Sequence, residues 1–152
     1  MFKEVLGVWG WATGMADKIG WLGPLLVRVT VGVMFARTGW GKLQNIEGVA
    51  TWFGELGLPA PLLQAYLAAI TECVGGAAVV LGLGARLFAV PLAFTMVVAM
   101  VTGGAFGDEP PGGIVDVIVK EESTYLAAMA WIALAGPGKA SLDALIKRKL
   151  VR

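Results

Sequence analysis

Glu72 is the residue of this sequence that most clearly suggests chemistry, because it lies in the middle of a long apolar run. The run, residues 61–83, reads PLLQAYLAAITECVGGAAVVLGL and contains no other charge. Since a helix of about 20 apolar residues crosses a bilayer, Glu72 is predicted to lie deep in the membrane. A carboxylate at that depth is costly, and it normally faces a protein interior or a cavity and has a partner.

The preceding apolar run, residues 22–43, supplies candidate partners for Glu72. At about 100° per residue, one stripe of that helix carries two basic residues, two glycines and one aromatic residue: Arg28, Gly32, Phe35, Gly39 and Lys42. Arg37 falls on the opposite side. Depth counted from the ends of the two runs brings Arg28 within reach of Glu72, so we predict that these two charges share one polar centre. Lys42 and Glu122 are predicted to form a second polar layer nearer the other end.

Two interpretations of a buried Arg28–Glu72 pair stay open at this point. Such a pair can fix the register of two helices without adding net stability. It can also mark a binding or proton-transfer site, as ionisable residues inside a membrane often do. Cys73 is interpreted as a small buried hydrophobic residue rather than as a nucleophile.

Four apolar segments are available to position these side chains, and the predicted fold is all-α: a polytopic membrane four-helix bundle over residues 21–137. The first three spans are residues 22–43, 61–83 and 87–104. The fourth ends at Ala135, and its start is unclear because Ile114–Ala135 is charged in its first half. An interfacial N-terminal segment, residues 1–20, precedes the bundle. A basic tail, residues 138–152, follows it with a short amphipathic helix that Ser141 would cap at the membrane surface.

The composition agrees with a membrane protein and excludes several functions. The chain of 152 residues is 57% hydrophobic with a mean hydropathy of +0.76, and its 15% of charged residues is below the roughly 25% of soluble domains. A net charge of +1 gives no reason to expect a nucleic-acid partner. With one cysteine and no histidine, a disulfide within the chain, a four-cysteine iron–sulfur cluster and a histidine-ligated haem are excluded. We therefore predict no metal site and no intrinsic cofactor.

The distribution of basic residues predicts the orientation. No cleavable signal peptide is predicted, and both termini are placed in the cytoplasm of a bacterial or archaeal cell. This leaves only Lys42 and Lys120 on the outer side, as the positive-inside rule favours. The basic residues then on the cytoplasmic side are Lys3, Lys18, Arg86, Lys139, Lys147, Arg148, Lys149 and Arg152.

The order of several short motifs resembles a known family. The segment LLVRVTVGVMFARTGWGKL is followed by GELGLPAPLL, by TECVGGAAVVLGLGAR around Glu72, and by ESTYL with Glu122 at an acidic position. The closing segment GPGKASLDALI completes the series. From about Leu25 to Leu145 the chain is similar to DoxX-family membrane proteins. This resemblance implies a four-helix bundle like the small membrane subunit of thiosulfate:quinone oxidoreductase, and a link to membrane complexes that handle oxidative stress.

The leading functional hypothesis is a membrane subunit of a quinone-linked oxidoreductase complex. In it Glu72 and Arg28 are the predicted catalytic residues, with Glu72 relaying a proton. The predicted quinone-binding set is Arg28, Lys42, Glu72 and Glu122. The expected partners are membrane lipid, a quinone, a redox protein that supplies electrons, and a second copy of the chain. The alternative is a non-catalytic scaffold or lipid-binding module whose buried charges are structural, and a transporter is a third hypothesis.

Overall fold

The computed structural model of the chain describes residues 13–14, 17–102, 118 and 120–150. Its helices, numbered in chain order, are α1 (Leu22–Gln44), α2 (Ile46–Glu55), α3 (Pro61–Leu81), α4 (Ala85–Thr102), α5 (Glu121–Ala135) and α6 (Leu142–Leu150). Within the described residues there is no strand. The predicted all-α fold is therefore confirmed.

Three of these helices are long and apolar enough to cross a membrane. They are Asp17–Gln44, which includes α1, together with α3 and α4, and they agree with the first three predicted spans to within a few residues. α5 has 15 residues, which is about 22 Å against a hydrocarbon core of about 30 Å. Because the predicted beginning of the fourth span falls outside the described residues, the count of four spans stays a prediction. Most of the predicted interfacial segment, residues 1–20, also falls outside them.

Glycines set the close antiparallel contact between α1 and α3. A Cβ atom added at Gly32 would lie 2.9 Å from the carbonyl oxygen of Gly76, and one at Gly39 would lie 2.7 Å from that of Ala69. A Cβ at Gly76 would meet the backbone nitrogen of Ala36. Only the absence of side chains permits this approach, so the stripe predicted to carry Gly32 and Gly39 is the side of α1 that contacts α3.

The other helices pack around this pair. A Cβ on Gly75 would lie 3.2 Å from Leu92 of α4, so this glycine lies at the contact between α3 and α4. α4 packs extensively against α5, and the Phe35 ring of α1 meets the Tyr125 ring of α5 edge to face at 6.1 Å. The buried core is Val31, Phe35, Val79, Ala85, Ala89, Leu92, Met96, Met129 and Ile132. Large apolar side chains such as Leu87 and Leu134 point outward, as expected for helices surrounded by lipid.

The segment between α1 and α3 is not only a loop. Residues 44–60 contain the helix α2, which packs against α3. Gly57, with a φ of 74°, and Ala60, with a φ of 49°, turn the chain back into Pro61. The left-handed conformation is uncommon for a residue with a Cβ atom such as Ala60.

The α1–α3 contact can be tested with two glycines of the same helix. Gly39→Ala should lower stability by about 1–3 kcal/mol, because the new methyl group overpacks the interface. Gly41→Ala should be neutral or should stabilise by up to about 1 kcal/mol through helix propensity, since nothing lies within 4 Å of its added Cβ. The measurement is unfolding of the purified protein in detergent. Equal effects of the two substitutions would contradict the packing.

The predicted orientation in the membrane can be tested by thiol labelling, because Glu47 on α2 and Lys147 on α6 lie at opposite ends of the bundle. With Cys73 replaced by serine, a cysteine at position 47 should react with an impermeant thiol reagent on intact cells. A cysteine at position 147 should react only after the cells are opened. The reverse pattern would overturn the predicted cytoplasmic termini.

Candidate functional site

The central polar feature of the bundle is an ion pair between α1 and α3. Lys42 Nζ donates a hydrogen bond to Glu72 Oε1 at 2.5 Å. The Glu72 side chain is 3% exposed and that of Lys42 is 26% exposed. The second carboxylate oxygen, Glu72 Oε2, is buried and has no hydrogen-bond partner among the described residues. An unpaired buried acceptor costs about 1–3 kcal/mol, so this oxygen marks the site as suited to a further donor.

The same glycine that brings α1 and α3 together positions the ion pair. A Cβ on Gly39 would lie 2.8 Å from the backbone carbonyl carbon of Glu72. Lys42 follows Gly39 by nearly one helical turn on the same face, and its long apolar stem reaches along α3 to the carboxylate. A bulkier residue at position 39 would push α1 outward and separate Lys42 from Glu72.

A cleft of about 230 Å³ opens beside the pair, between α2, α3 and α4. Its lining is mainly apolar and includes Trp52 and Phe53 of α2. The polar groups in the lining, apart from Lys42 and Glu72, are Gln64, Thr71, Thr95 and Thr102. Leu67 and Phe94 in the lining are exposed, so the cleft reaches the surface of the bundle that lipid would cover. Apolar clefts with a few convergent polar groups are the usual form of small-molecule sites.

Arg28 does not belong to this centre, and the predicted Arg28–Glu72 pair is wrong. The Arg28 side chain donates from Nη1 to the Pro137 carbonyl oxygen at 2.8 Å. It donates from Nη2 to the Ala140 carbonyl oxygen at 2.7 Å. These carbonyls belong to the segment between α5 and α6. The two predicted catalytic residues therefore lie in separate parts of the molecule.

The reason for this error is the axial offset of the helices. Arg28 Nη1 would lie 2.6 Å from a Cβ on Gly82, and Gly82 is about 15 Å from Glu72 along α3, at about 1.5 Å per residue. Depths counted from the ends of the apolar runs assumed that the ends of the two runs lie at one level. In fact roughly the first two turns of α1 extend beyond the end of α3. Arg28 therefore lies level with the end of α3 and not with Glu72.

Arg28 instead forms part of a junction that holds the start of α6. Ser141 Oγ accepts a hydrogen bond from the Ala144 N–H at 3.2 Å, so the predicted N-cap is confirmed. The Asp143 carboxylate accepts from the Gly84 N–H at 2.8 Å and from the Ala85 N–H at 3.3 Å. Asp143 thereby caps the first turn of α4 as an acidic residue at a helix N-terminus. Its position in the SLD motif is visible in the sequence, but its partners on another helix are not.

The remaining candidates lie outside the cleft. Glu122 is partly buried at the start of α5 and is not among the residues that line the cleft. Lys42 pairs with Glu72, and the predicted Lys42–Glu122 layer stays a prediction. Arg37 is exposed, on the side of α1 that the helical period predicted. Sequence reasoning missed the contribution of Trp52, Phe53 and α4, because only the folding of α2 over α3 brings them to Glu72.

A model of the DoxX family matches residues 23–105, which is more than half of the chain. The chain belongs to the DoxX family. The matched range contains Lys42, Glu72 and every residue that lines the cleft, whereas Glu122 and α6 lie beyond it. The family resemblance expected from the sequence motifs is thereby confirmed.

Three relatives show how far the likeness extends. The chain is 40% identical over 81 residues to the putative oxidoreductase CatD of Bacillus subtilis (strain 168), a match that covers 53% of this chain and 59% of that protein. It is 27% identical over 132 residues to the inner membrane protein YqjF of Escherichia coli (strain K12), covering 87% and 98%. It is 30% identical over 134 residues to the uncharacterized membrane protein Rv3486 of Mycobacterium tuberculosis (strain ATCC 25618 / H37Rv), covering 82% of each. No solved structure matches the chain.

A pair of double-mutant cycles tests the new assignment of partners. Lys42→Met and Glu72→Gln should be coupled by about 0.5–3 kcal/mol, because the two side chains touch. Arg28→Gln and Glu72→Gln should add to within about 0.5 kcal/mol, because they are far apart and share no partner. Unfolding in mixed detergent micelles would give the free energies. Strong coupling of Arg28 to Glu72 would restore the discarded pair.

Proposed function

We propose that the chain is the membrane subunit of a quinone-linked oxidoreductase complex and that the cleft beside Lys42 and Glu72 accepts the quinone ring. The observation that carries the proposal is the buried, unpaired Glu72 Oε2 next to a lysine at the wall of an apolar cleft. The oxidoreductase name of the Bacillus subtilis relative supports the class of reaction. Arg28 has no part in it, since its guanidinium is bound at the other end of α1.

The size and lining of the cleft suit such a ring. An apolar cavity of about 150 Å³ holds benzene, so a cleft of about 230 Å³ has room for one substituted ring. An isoprenoid tail is far larger than that space and would have to leave it. The exposed side chains of Leu67 and Phe94 at its edge offer an apolar path to the lipid.

The two charged residues have distinct tasks in this proposal. The Lys42 ammonium has three donors, so Nζ can keep its bond to Glu72 Oε1 while it donates to a ring oxygen. Glu72, when protonated on Oε2, would donate to the ring and pass on its proton. Reduction of a quinone to a quinol takes up two electrons and two protons: Glu72 would pass one proton to the nearer ring oxygen, and the other ring oxygen would take the second proton from solvent. Because the chain has one cysteine and no histidine, we assign the electron supply to a redox protein partner.

The alternative function is a scaffold whose ion pair only orders the helices. The direct Lys42–Glu72 contact suits this role as well, because a buried pair can fix helix register. The two functions differ in what the cleft does. A scaffold does not need the space beside the pair, whereas a quinone site does.

Two alanines of α3 provide a test of the cleft that leaves both charges in place. Ala68 lines the cleft, and Ala77 is exposed on the same helix. Ala68→Phe should lower the affinity for a short-chain quinone analogue at least tenfold by filling the space, and Ala77→Phe should leave it unchanged. Binding would be measured by equilibrium titration of the purified protein in detergent or nanodiscs, with unfolding curves to show that both variants are folded.

Glu72→Leu tests the chemistry of the same site, because it removes the carboxyl group that donates to the ring. Loss of a hydrogen bond between neutral groups costs about 0.5–1.5 kcal/mol, so the quinone should bind severalfold more weakly, whereas Glu72→Gln keeps a side-chain donor and should change binding less. If Ala68→Phe and Glu72→Leu both fold and neither changes quinone binding, the quinone proposal is wrong. A wild-type protein that binds no quinone while the ion pair still stabilises it would favour the scaffold.

A further inference from the structure

The helix α6 presents an unpartnered surface to the outside of the molecule. Of its nine residues, only Asp143 and Ala144 are partly covered, and the rest are exposed. Four large apolar side chains are among the exposed ones: Leu142, Leu145, Ile146 and Leu150. At about 100° per residue these four share one side of the helix. Ala144 lies on the opposite side, and Asp143 lies at one edge of the apolar side, next to Leu150. The rest of the apolar side, which also carries Lys149, points away from the contacts that Asp143 makes with the bundle.

The position of α6 along the bundle is fixed. The Asp143 N–H donates to the Gly82 carbonyl oxygen at 3.0 Å, and the Asp143 carboxylate binds the first turn of α4. Gly82 and Gly84 form the turn between α3 and α4, two helices of membrane-spanning length. That turn must lie at the boundary between hydrocarbon and water. α6 therefore begins at the level of the lipid headgroups.

Basic side chains gather at this end of the bundle. Lys147, Arg148 and Lys149 are exposed on α6, and Lys139 is exposed in the segment before it. Arg86 is also exposed, and it donates from Nη2 to the Ala135 carbonyl oxygen at 3.2 Å. The acidic Asp143 is already engaged with backbone donors of α4. The surface thus combines an exposed apolar side with several cations at the depth of the headgroups.

We propose that α6 binds acidic phospholipids at the membrane surface and that this binding stabilises the bundle. The four apolar side chains would enter the boundary of the acyl chains, and the flanking basic side chains would bind lipid phosphates, as in amphipathic interfacial helices. Because Asp143 ties α6 to α4, and Arg28 ties the preceding segment to α1, lipid bound to α6 also holds these helices together. This surface is separate from the cleft at Lys42 and Glu72, and the inference does not depend on quinone binding.

The first experiment compares lipid compositions with the full chain in nanodiscs. The melting temperature should be several degrees higher with phosphatidylglycerol added to phosphatidylcholine than with phosphatidylcholine alone. Lys147→Gln combined with Arg148→Gln should remove most of this difference. Arg37→Gln combined with Lys120→Gln removes two exposed basic residues away from α6 and should keep most of it. Raised salt should reduce the difference, because exposed charges are screened.

Two results of that experiment would overturn the proposal. One is a phosphatidylglycerol effect that the α6 variant retains in full. The other is an equal rise in melting temperature when inorganic phosphate is added to phosphatidylcholine nanodiscs, since this would assign the site to a free anion. Neither result depends on whether the cleft binds a quinone.

The second experiment measures what covers the apolar side. A spin label on a cysteine at position 145, in a Cys73→Ser background, should be relaxed more by oxygen, which dissolves in the bilayer, than by a water-soluble nickel chelate. A label relaxed mainly by the chelate would show that α6 lies in water and would overturn the proposal. A label protected from both, with spin–spin broadening between chains, would assign the surface to a second copy and would also overturn it.

Discussion

The close approach of α1 and α3 is the constraint on which the rest of the structure depends. Backbone meets backbone at Gly32, Gly39 and Gly76, where even a methyl group would overlap the neighbouring helix. Since lipid provides no hydrophobic drive between helices, such close contact is a main source of helix association in membranes. It also fixes the axial register. Through that register, it decides which charged side chains can meet.

Two polar groups follow from this register, one toward each end of α1. Lys42 reaches Glu72 beside the cleft, and Arg28 reaches the carbonyl oxygens of Pro137 and Ala140. The first group has an unpaired buried oxygen and adjacent space, which are features of a site. In the second group Arg28 Nη1 and Nη2 bind backbone carbonyls and tie the C-terminal segment to the bundle. Arg28 Nε is also buried without a partner among the described residues, but Arg28 is not among the residues that line the cleft. The same helix therefore carries one residue suited to chemistry and one that is structural.

The two surfaces proposed to bind ligands also lie in different parts of the molecule. The cleft lies within the range that the DoxX family model matches. Its walls come from α2, α3 and α4, with Lys42 of α1 at one side. α6 lies beyond that range, and its contacts with the bundle run through Asp143 and the turn between α3 and α4. A cleft that accepts its ligand from lipid, as proposed for this chain, needs its helices held at a constant depth. An interfacial helix anchored to that turn is a physical means to do so.

Features that depend on local periodicity and solvation could be read from the sequence. The apolar runs predicted all-α structure and four membrane spans, of which the structure shows three as membrane-length helices among the described residues. The 3.6-residue period separated Arg37 from the buried stripe of α1. The cost of burying a carboxylate predicted a partner for Glu72, and Ser141 was recognisable as an N-cap from its place before α6.

The partner of Glu72 depends on how α1 and α3 pack, which the sequence does not show. Helical period gives the direction of a side chain around its axis, but it carries no measure of the offset of one helix along another. The packing of Gly32, Gly39 and Gly76 sets that offset. Because of this offset, the partner of Glu72 is Lys42 and not Arg28. The folding of α2 over α3 and the capping of α4 by Asp143 are likewise contacts between distant segments. No local pattern encodes them, because their energy arises only when the helices are already side by side.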